Sequence, residues 1–166
     1  MDQQMELPEV VVSRLLRERN MTLSAAESCT GGLIAKRMTD LSGASQIFHG
    51  GVVSYVNAVK NGVLGVESTL LEEYGAVSEP VARAMAEGCR KICGSNLAVS
   101  VTGVAGPDRD DRGNEVGTVY VGLATPTGTF CELLSCGADK SRHEIRIAAA
   151  DSAFRLVCRY LADLSL

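Results

Sequence analysis

The chain predicts an α/β fold, a three-layer α/β/α sandwich built on a mixed sheet. Three observations carry this. Strand-like runs alternate with helical runs through most of the 166 residues, the order that lays helices on both faces of a sheet. Leu97-Ala98-Val99-Ser100-Val101 is nearly continuous in apolar and small residues, as a strand buried on both faces requires. Val116 to Ala124 and Gly128 to Ser135 flank the turn Thr125-Pro126-Thr127-Gly128 and read as a hairpin, which adds antiparallel pairing.

The elements follow in order. Pro8 to Arg19 reads as a helix with Val11, Leu15 and Leu16 on one face. Thr22 to Ala26 reads as a strand and Gly32 to Thr39 as a helix that stops before Leu41-Ser42-Gly43. Phe48 to Tyr55 is β-branched and aromatic at its centre, a second strand. Short helices are expected over Asn57 to Leu64, ended by Gly65, and over Ser68 to Tyr74, ended by Gly75. Ser78-Glu79-Pro80 combines a Ser cap, an acid in the first turn and a proline where its missing N–H does no harm, so a helix runs from there to Cys93. Thr102 to Pro107 reads as a Gly-containing loop, Asp108 to Glu115 as a charged loop, and Ser141 to Leu161 as a long final helix. No repeat or linker divides the chain, and residues 1–166 are expected to form one domain with one sizeable core.

Composition narrows the function. Sixteen Lys and Arg stand against 20 Asp and Glu, a net charge of −4, which is not the basic footprint of a nucleic-acid binder. There is no Trp and aromatic content is 4%, so base-stacking platforms are not expected either. No apolar run approaches the ~18 residues of a membrane span. The opening Met1-Asp2-Gln3-Gln4-Met5-Glu6 is too polar for a signal peptide, so a cytoplasmic protein without membrane partners is expected. The six cysteines are then expected to be reduced. Cys89 and Cys93 lie four apart on a helix, but no His or Cys cluster at ligand spacing accompanies them, and no metal is expected.

Ala25-Ala26-Glu27-Ser28-Cys29-Thr30-Gly31-Gly32 bridges a strand and a helix. A hydroxyl at such a junction, followed by two glycines, suits a nucleophile. The first helical N–H groups favour an anion, and glycines let a ligand approach the backbone. The same pattern also suits an ordinary cap and turn. If Ser28 is a nucleophile, a base must take its proton. His49 and His143 carry no recognisable triad context. Lys60, five residues after Tyr55, sits just past a strand end; burial can depress its pKa enough for it to act, and Tyr55 can relay a proton or orient the serine. Lys60 as a solvated helix residue and Cys29 as the nucleophile remain open alternatives at this point. Thr102 to Pro107 offers a hydroxyl and unobstructed N–H groups for a phosphate or ribose. Arg142 and Arg146, one turn apart, can clamp a phosphate or pair with Asp139 and Glu144. Both Gly-containing loops follow strands, so they can converge on one pocket at the carboxyl end of the sheet.

With these segments in order, the chain resembles the CinA C-terminal domain family, the nicotinamide-nucleotide amidases. The matching stretches are Ala26 to Gly32, Gly50 to Asn57 with Lys60, Gly75 to Ala82, Thr102 to Pro107 and Val116 to Val119, spread over about residues 9 to 160. The resemblance implies a cofactor-free hydrolase that converts nicotinamide mononucleotide to nicotinic acid mononucleotide and ammonia. It assigns catalysis to Ser28, Tyr55 and Lys60. It assigns substrate binding to Thr30, Gly31, Gly32, Asn57, Thr102, Gly103, Ala105, Gly106 and Arg142. It also implies self-association, as a homodimer or a higher homo-oligomer. One stretch departs from the family pattern. Where Gly-Gly and then Lys-Pro usually follow Ala-Gly-Pro, this chain has Asp108-Arg109-Asp110-Asp111-Arg112-Gly113-Asn114-Glu115. That loop leaves room for two other readings, a nucleotide-binding regulatory homologue and an amidase for another small amide.

Overall fold

The computed structural model describes residues 6–164; the polar opening residues 1–5 lie outside it. Among the described residues, six α-helices and five strands follow the order that the sequence predicts, and one short 3-10 turn, Ala44–Gln46, is added that it did not predict. Helix α1 (Pro8–Arg19) starts on Pro8, and Asn20, in the left-handed conformation, closes it. Strand β1 (Leu23–Glu27), helix α2 (Leu33–Thr39) and strand β2 (Phe48–Val53) follow. Then come α3 (Asn57–Gly62), α4 (Ser68–Tyr74) and α5 (Glu79–Cys93). Strands β3 (Leu97–Gly103), β4 (Thr118–Thr125) and β5 (Gly128–Ser135) precede α6 (Arg142–Asp163).

The five strands lie in the order β2-β1-β3-β4-β5. β1 pairs in parallel with both β2 and β3, while β3–β4 and β4–β5 are antiparallel. The sheet is therefore mixed, and its parallel half is β2-β1-β3. Alternation of side chains along β1 and β3 sorts the two faces. Leu23, Ala25, Leu97, Val99 and Val101 join one core with Val12 and Leu16 of α1, Ile34 and Met38 of α2, and Ile145, Ala149 and Phe154 of α6. Ala26 and Ala98 join a second core with Leu71 of α4 and with Val81, Met85 and Cys89 of α5.

Small residues on the second face let α5 lie close to the sheet. A Cβ on Gly122 of β4 would stand 2.7 Å from the Ala82 carbonyl oxygen of α5. The Ser100 hydroxyl donates to that same oxygen at 2.5 Å.

Several boundaries differ from the sequence reading, for identifiable reasons. β3 runs on through Thr102 and Gly103, expected as loop, because they pair with Tyr120 and Val119 of β4. β2 ends at Val53, before Ser54 and Tyr55. Ser78 stands at the start of α5, but its hydroxyl donates back to the Gly75 carbonyl at 2.8 Å and caps nothing in the helix. On α1 the most deeply buried apolar residues are Val12 and Leu16, with Val11 and Leu15 only half-buried. All six cysteines are unbridged. No described helix is long and apolar enough to cross a membrane.

Candidate active site

Three parallel strands deliver their carboxyl ends side by side. Glu27, the last residue of β1, is in register with Val53 of β2 and Val101 of β3. Beyond these ends the chain turns at Ser28, at Ser54-Tyr55 and at Val104 to Gly106. Ligand sites of open α/β sheets form at such a place. Here the turns enclose a cavity of about 440 Å³.

The turn after β1 is held from both sides. Ser28 N–H donates to the Val101 carbonyl at 3.0 Å, and Gly31 N–H returns to the Ser28 carbonyl at 3.1 Å. The buried Glu27 carboxylate accepts from Ile34 N–H at 2.8 Å and Ala35 N–H at 3.1 Å, so it closes the N-terminus of α2 itself. From the other side Arg146 donates to the Cys29 carbonyl at 3.1 Å and the Thr30 carbonyl at 2.8 Å. The expected anion site at the start of α2 is thus already filled by the chain's own carboxylate. Arg146 is likewise a backbone clasp and not half of a phosphate clamp.

Lys60 is reached through a second chain of bonds. Ser54 N–H donates to the Glu27 carbonyl at 2.8 Å, which fixes Ser54 beside β1. The Ser54 carbonyl then lies 2.7 Å from Lys60 Nζ, the Tyr55 carbonyl 3.3 Å away, and Ser28 Oγ 2.9 Å away. Lys60 is 1% exposed and Ser28 8%. No carboxylate pairs with Lys60 among the described residues, and burial drives its pKa from 10.5 down to about 8. Lys60 is therefore a buried amine and not the solvated helix residue that the sequence also allowed.

This geometry suits a base. A neutral amine has two N–H donors and one lone pair. The carbonyls of Ser54 and Tyr55 take the donors, which leaves the lone pair for the Ser28 hydroxyl proton. Cys29 also lines the cavity, but burial pushes its thiol up to about 12, so it stays protonated at neutral pH. His49 bonds the Cys93 carbonyl at 3.0 Å, and neither His49 nor His143 lines the cavity.

Of the residues the sequence singled out, Ser28, Tyr55, Asn57, Lys60, Thr102, Gly103, Ala105, Gly106 and Arg142 all line this cavity. Tyr55 does so in an unexpected way. Its backbone carbonyl touches Lys60, while its half-exposed phenol accepts from Arg142 at 2.6 Å. Arg142 also donates to the Gly106 carbonyl at 2.6 Å, so the two side chains form a wall. Thr30, Gly31 and Gly32 do not line the cavity. Thr30 is fully buried, and the two glycines adopt φ +60° and +103°, which a side chain would strain. The two glycines turn the backbone between Ser28 and α2.

The sequence reading missed Ser54, which contributes a carbonyl and so left no side-chain signal. It also did not assign Asp108, Arg109 and Asp110 to the cavity they line. Their departure from the family pattern was the one available sign. A larger neighbouring cavity, about 540 Å³, has Asn61, Glu72 and Arg112 in its walls but no nucleophile paired with a base. No cluster of His, Cys, Asp or Glu fit for a metal occurs among the described residues.

The fold and site define an α/β sandwich domain with a buried Ser–Lys pair at the carboxyl end of its parallel strands. Residues 5–161 match the CinA C-terminal domain, and the chain belongs to that family. A CinA-like protein of Geobacter sulfurreducens is 49% identical over 153 residues, which cover 92% of this chain and 37% of that protein. One from Geotalea uraniireducens is 46% identical over 159 residues, with 96% and 37% covered. The chain thus spans little more than a third of the length of these relatives. Among solved structures, the competence/damage inducible protein CihA of Agrobacterium tumefaciens superposes with a TM-score of 0.87 at 33% identity, covering 98% of this chain and all of the other. A CinA superfamily protein of Klebsiella pneumoniae gives 0.91 at 26% identity, with 95% and 97% covered.

Proposed function

We propose that this domain hydrolyses the carboxamide of nicotinamide mononucleotide, releasing ammonia and nicotinic acid mononucleotide. The observation that supports it most is Lys60 Nζ, buried with no carboxylate partner among the described residues, 2.9 Å from Ser28 Oγ. Neutral Lys60 accepts the Ser28 proton as Oγ bonds to the carboxamide carbon. The tetrahedral intermediate collapses, the C–N bond breaks, and the leaving amide nitrogen takes the proton from Lys60 to depart as ammonia. Water, deprotonated by Lys60, then attacks the acyl-enzyme. Collapse of this second intermediate breaks the bond to Ser28 and returns the proton to Oγ.

Cys29, Ala105 and Gly106 line the cavity, and their N–H groups donate to no backbone carbonyl among the described residues. They are the donors available for the oxyanion, where one well-placed N–H is worth ~3 kcal/mol. They take the place of the first helical N–H groups of α2, which the sequence pattern offered for an anion. Self-association and a cytoplasmic location belong to the same proposal, and light scattering tests the first.

An ammonia-release assay with nicotinamide mononucleotide tests the activity. Wild type should turn over, while Ser28→Ala and Lys60→Ala should not. Release that persists in Ser28→Ala rejects Ser28 as nucleophile. Turnover of other amides alone rejects this substrate.

A further inference from the structure

We propose that Arg109 reads the anionic group of the substrate, a phosphate monoester, at the mouth of the Ser28–Lys60 cavity. This rests on the reading of that cavity as an amide-hydrolysing site for a nucleotide, and it adds the residue that selects the phosphorylated form.

The cations around the site differ in what already holds them. Lys60 is committed to Ser28 and to two carbonyls. Arg142 holds the Gly106 carbonyl and the Tyr55 phenol. Arg146 holds the Cys29 and Thr30 carbonyls. Arg112 donates to the Leu71, Glu72 and Glu73 carbonyls at the end of α4. Arg109 lines the cavity and has, among the described residues, a single partner, Glu115, at 3.3 Å. Both of those side chains are more than 60% exposed, and such a pair contributes little. A phosphate dianion offers Arg109 shorter, bidentate hydrogen bonds and displaces Glu115.

The surrounding loop keeps Arg109 in place. Asp110 Oδ1 accepts from Arg112 N–H at 3.1 Å and Asn114 N–H at 2.8 Å, and Oδ2 accepts from Asn114 Nδ2 at 2.7 Å. Asp110 thus closes the turn that follows Arg109, and Arg112 fastens that turn to α4. The residues that depart from the family pattern therefore have divided roles. Asp110, Arg112 and Asn114 brace the loop, and Arg109 is the cation that it presents to the cavity, beside Asp108. An ordered loop lowers the entropic cost of placing a long side chain on the ligand.

The test compares nicotinamide mononucleotide with nicotinamide riboside, which lacks the phosphate. Arg109→Ala should lower the ratio of kcat/KM for mononucleotide over riboside ~10-fold or more, through KM. Glu115→Gln, which frees Arg109, should lower the mononucleotide KM. Equal losses for both substrates, or an unchanged ratio, overturn the proposal. Calorimetric titration of mononucleotide, with inorganic phosphate as competitor, separates this outcome from failure of the catalytic reading. Phosphate-dependent binding that Arg109→Ala weakens, in a protein that releases no ammonia, supports Arg109 while rejecting amide hydrolysis. Binding that Arg109→Ala leaves unaltered, or no binding at all, overturns Arg109.

Discussion

Arg37 and Lys60 are both basic side chains largely withdrawn from solvent, but Arg37 meets two carboxylates and Lys60, among the described residues, meets none. Arg37 lies on α2 and joins Glu9 of α1 at 2.6 Å and Asp151 of α6 at 2.8 Å, with its guanidinium 4.9 Å from the Phe154 ring centroid. Burial works against its charge, but hydrogen bonds to Glu9 and Asp151 outweigh that and hold its pKa above the ordinary value. Lys60 has only neutral oxygens around it, and burial moves its pKa the other way, down to about 8. The partners decide the outcome. Arg37 stays charged and ties together three helices on one face of the sheet, while Lys60 can shed its proton beside Ser28.

The largest effect should come from removing the base. Lys60→Ala should reduce amide turnover ~10²–10⁴-fold, as loss of a general base does, with the fold retained by circular dichroism. Arg37→Met should spare the Ser28–Lys60 chemistry but destabilise by ~3–5 kcal/mol in urea titrations, because Glu9 and Asp151 are left unpaired. A loss of turnover in folded Arg37→Met as deep as that of Lys60→Ala would erase the distinction between the two cations.

Lys60→Met should stabilise the fold, by ~1–3 kcal/mol at pH 7. An unfolded lysine titrates near 10.5 and the folded one near 8, so between these values the unfolded state holds more protons. Wild-type stability therefore carries the full burial penalty below pH 8 and recovers it as pH rises to 10.5. The gain from Lys60→Met should shrink over that same window. The smallest effect belongs to Tyr55→Phe. Its phenol contacts Arg142 and its carbonyl contacts Lys60, so kcat should change by less than ~3-fold, with a modest rise in KM. A collapse of kcat in Tyr55→Phe would restore the proton-relay role.

Most of this architecture was legible in the sequence. Apolar runs, helix starts such as Pro8 and stops such as Gly75 are local signals, and they placed the six α-helices and five strands of the described residues. Ser28 was legible from its strand-to-helix junction, and Lys60 from its position just past a strand end. What stayed hidden was the direction of side chains set by distant partners. Nothing local shows that Glu27 turns onto the N-terminus of α2, or that Arg146 reaches back across 116 residues to the Thr30 carbonyl. Nor does it show that the Tyr55 phenol leaves Ser28 for Arg142. The end of β3 was hidden for a related reason, because Thr102 and Gly103 become strand only through pairing with β4.

The chemistry proposed for this site requires Lys60 to act unprotonated. The pH dependence of kcat/KM for ammonia release from nicotinamide mononucleotide measures this directly. The rate should climb from pH 6 with an apparent pKa near 8 and level off above it. A rate that is flat across pH 6 to 9, or that falls through pH 8, would contradict it.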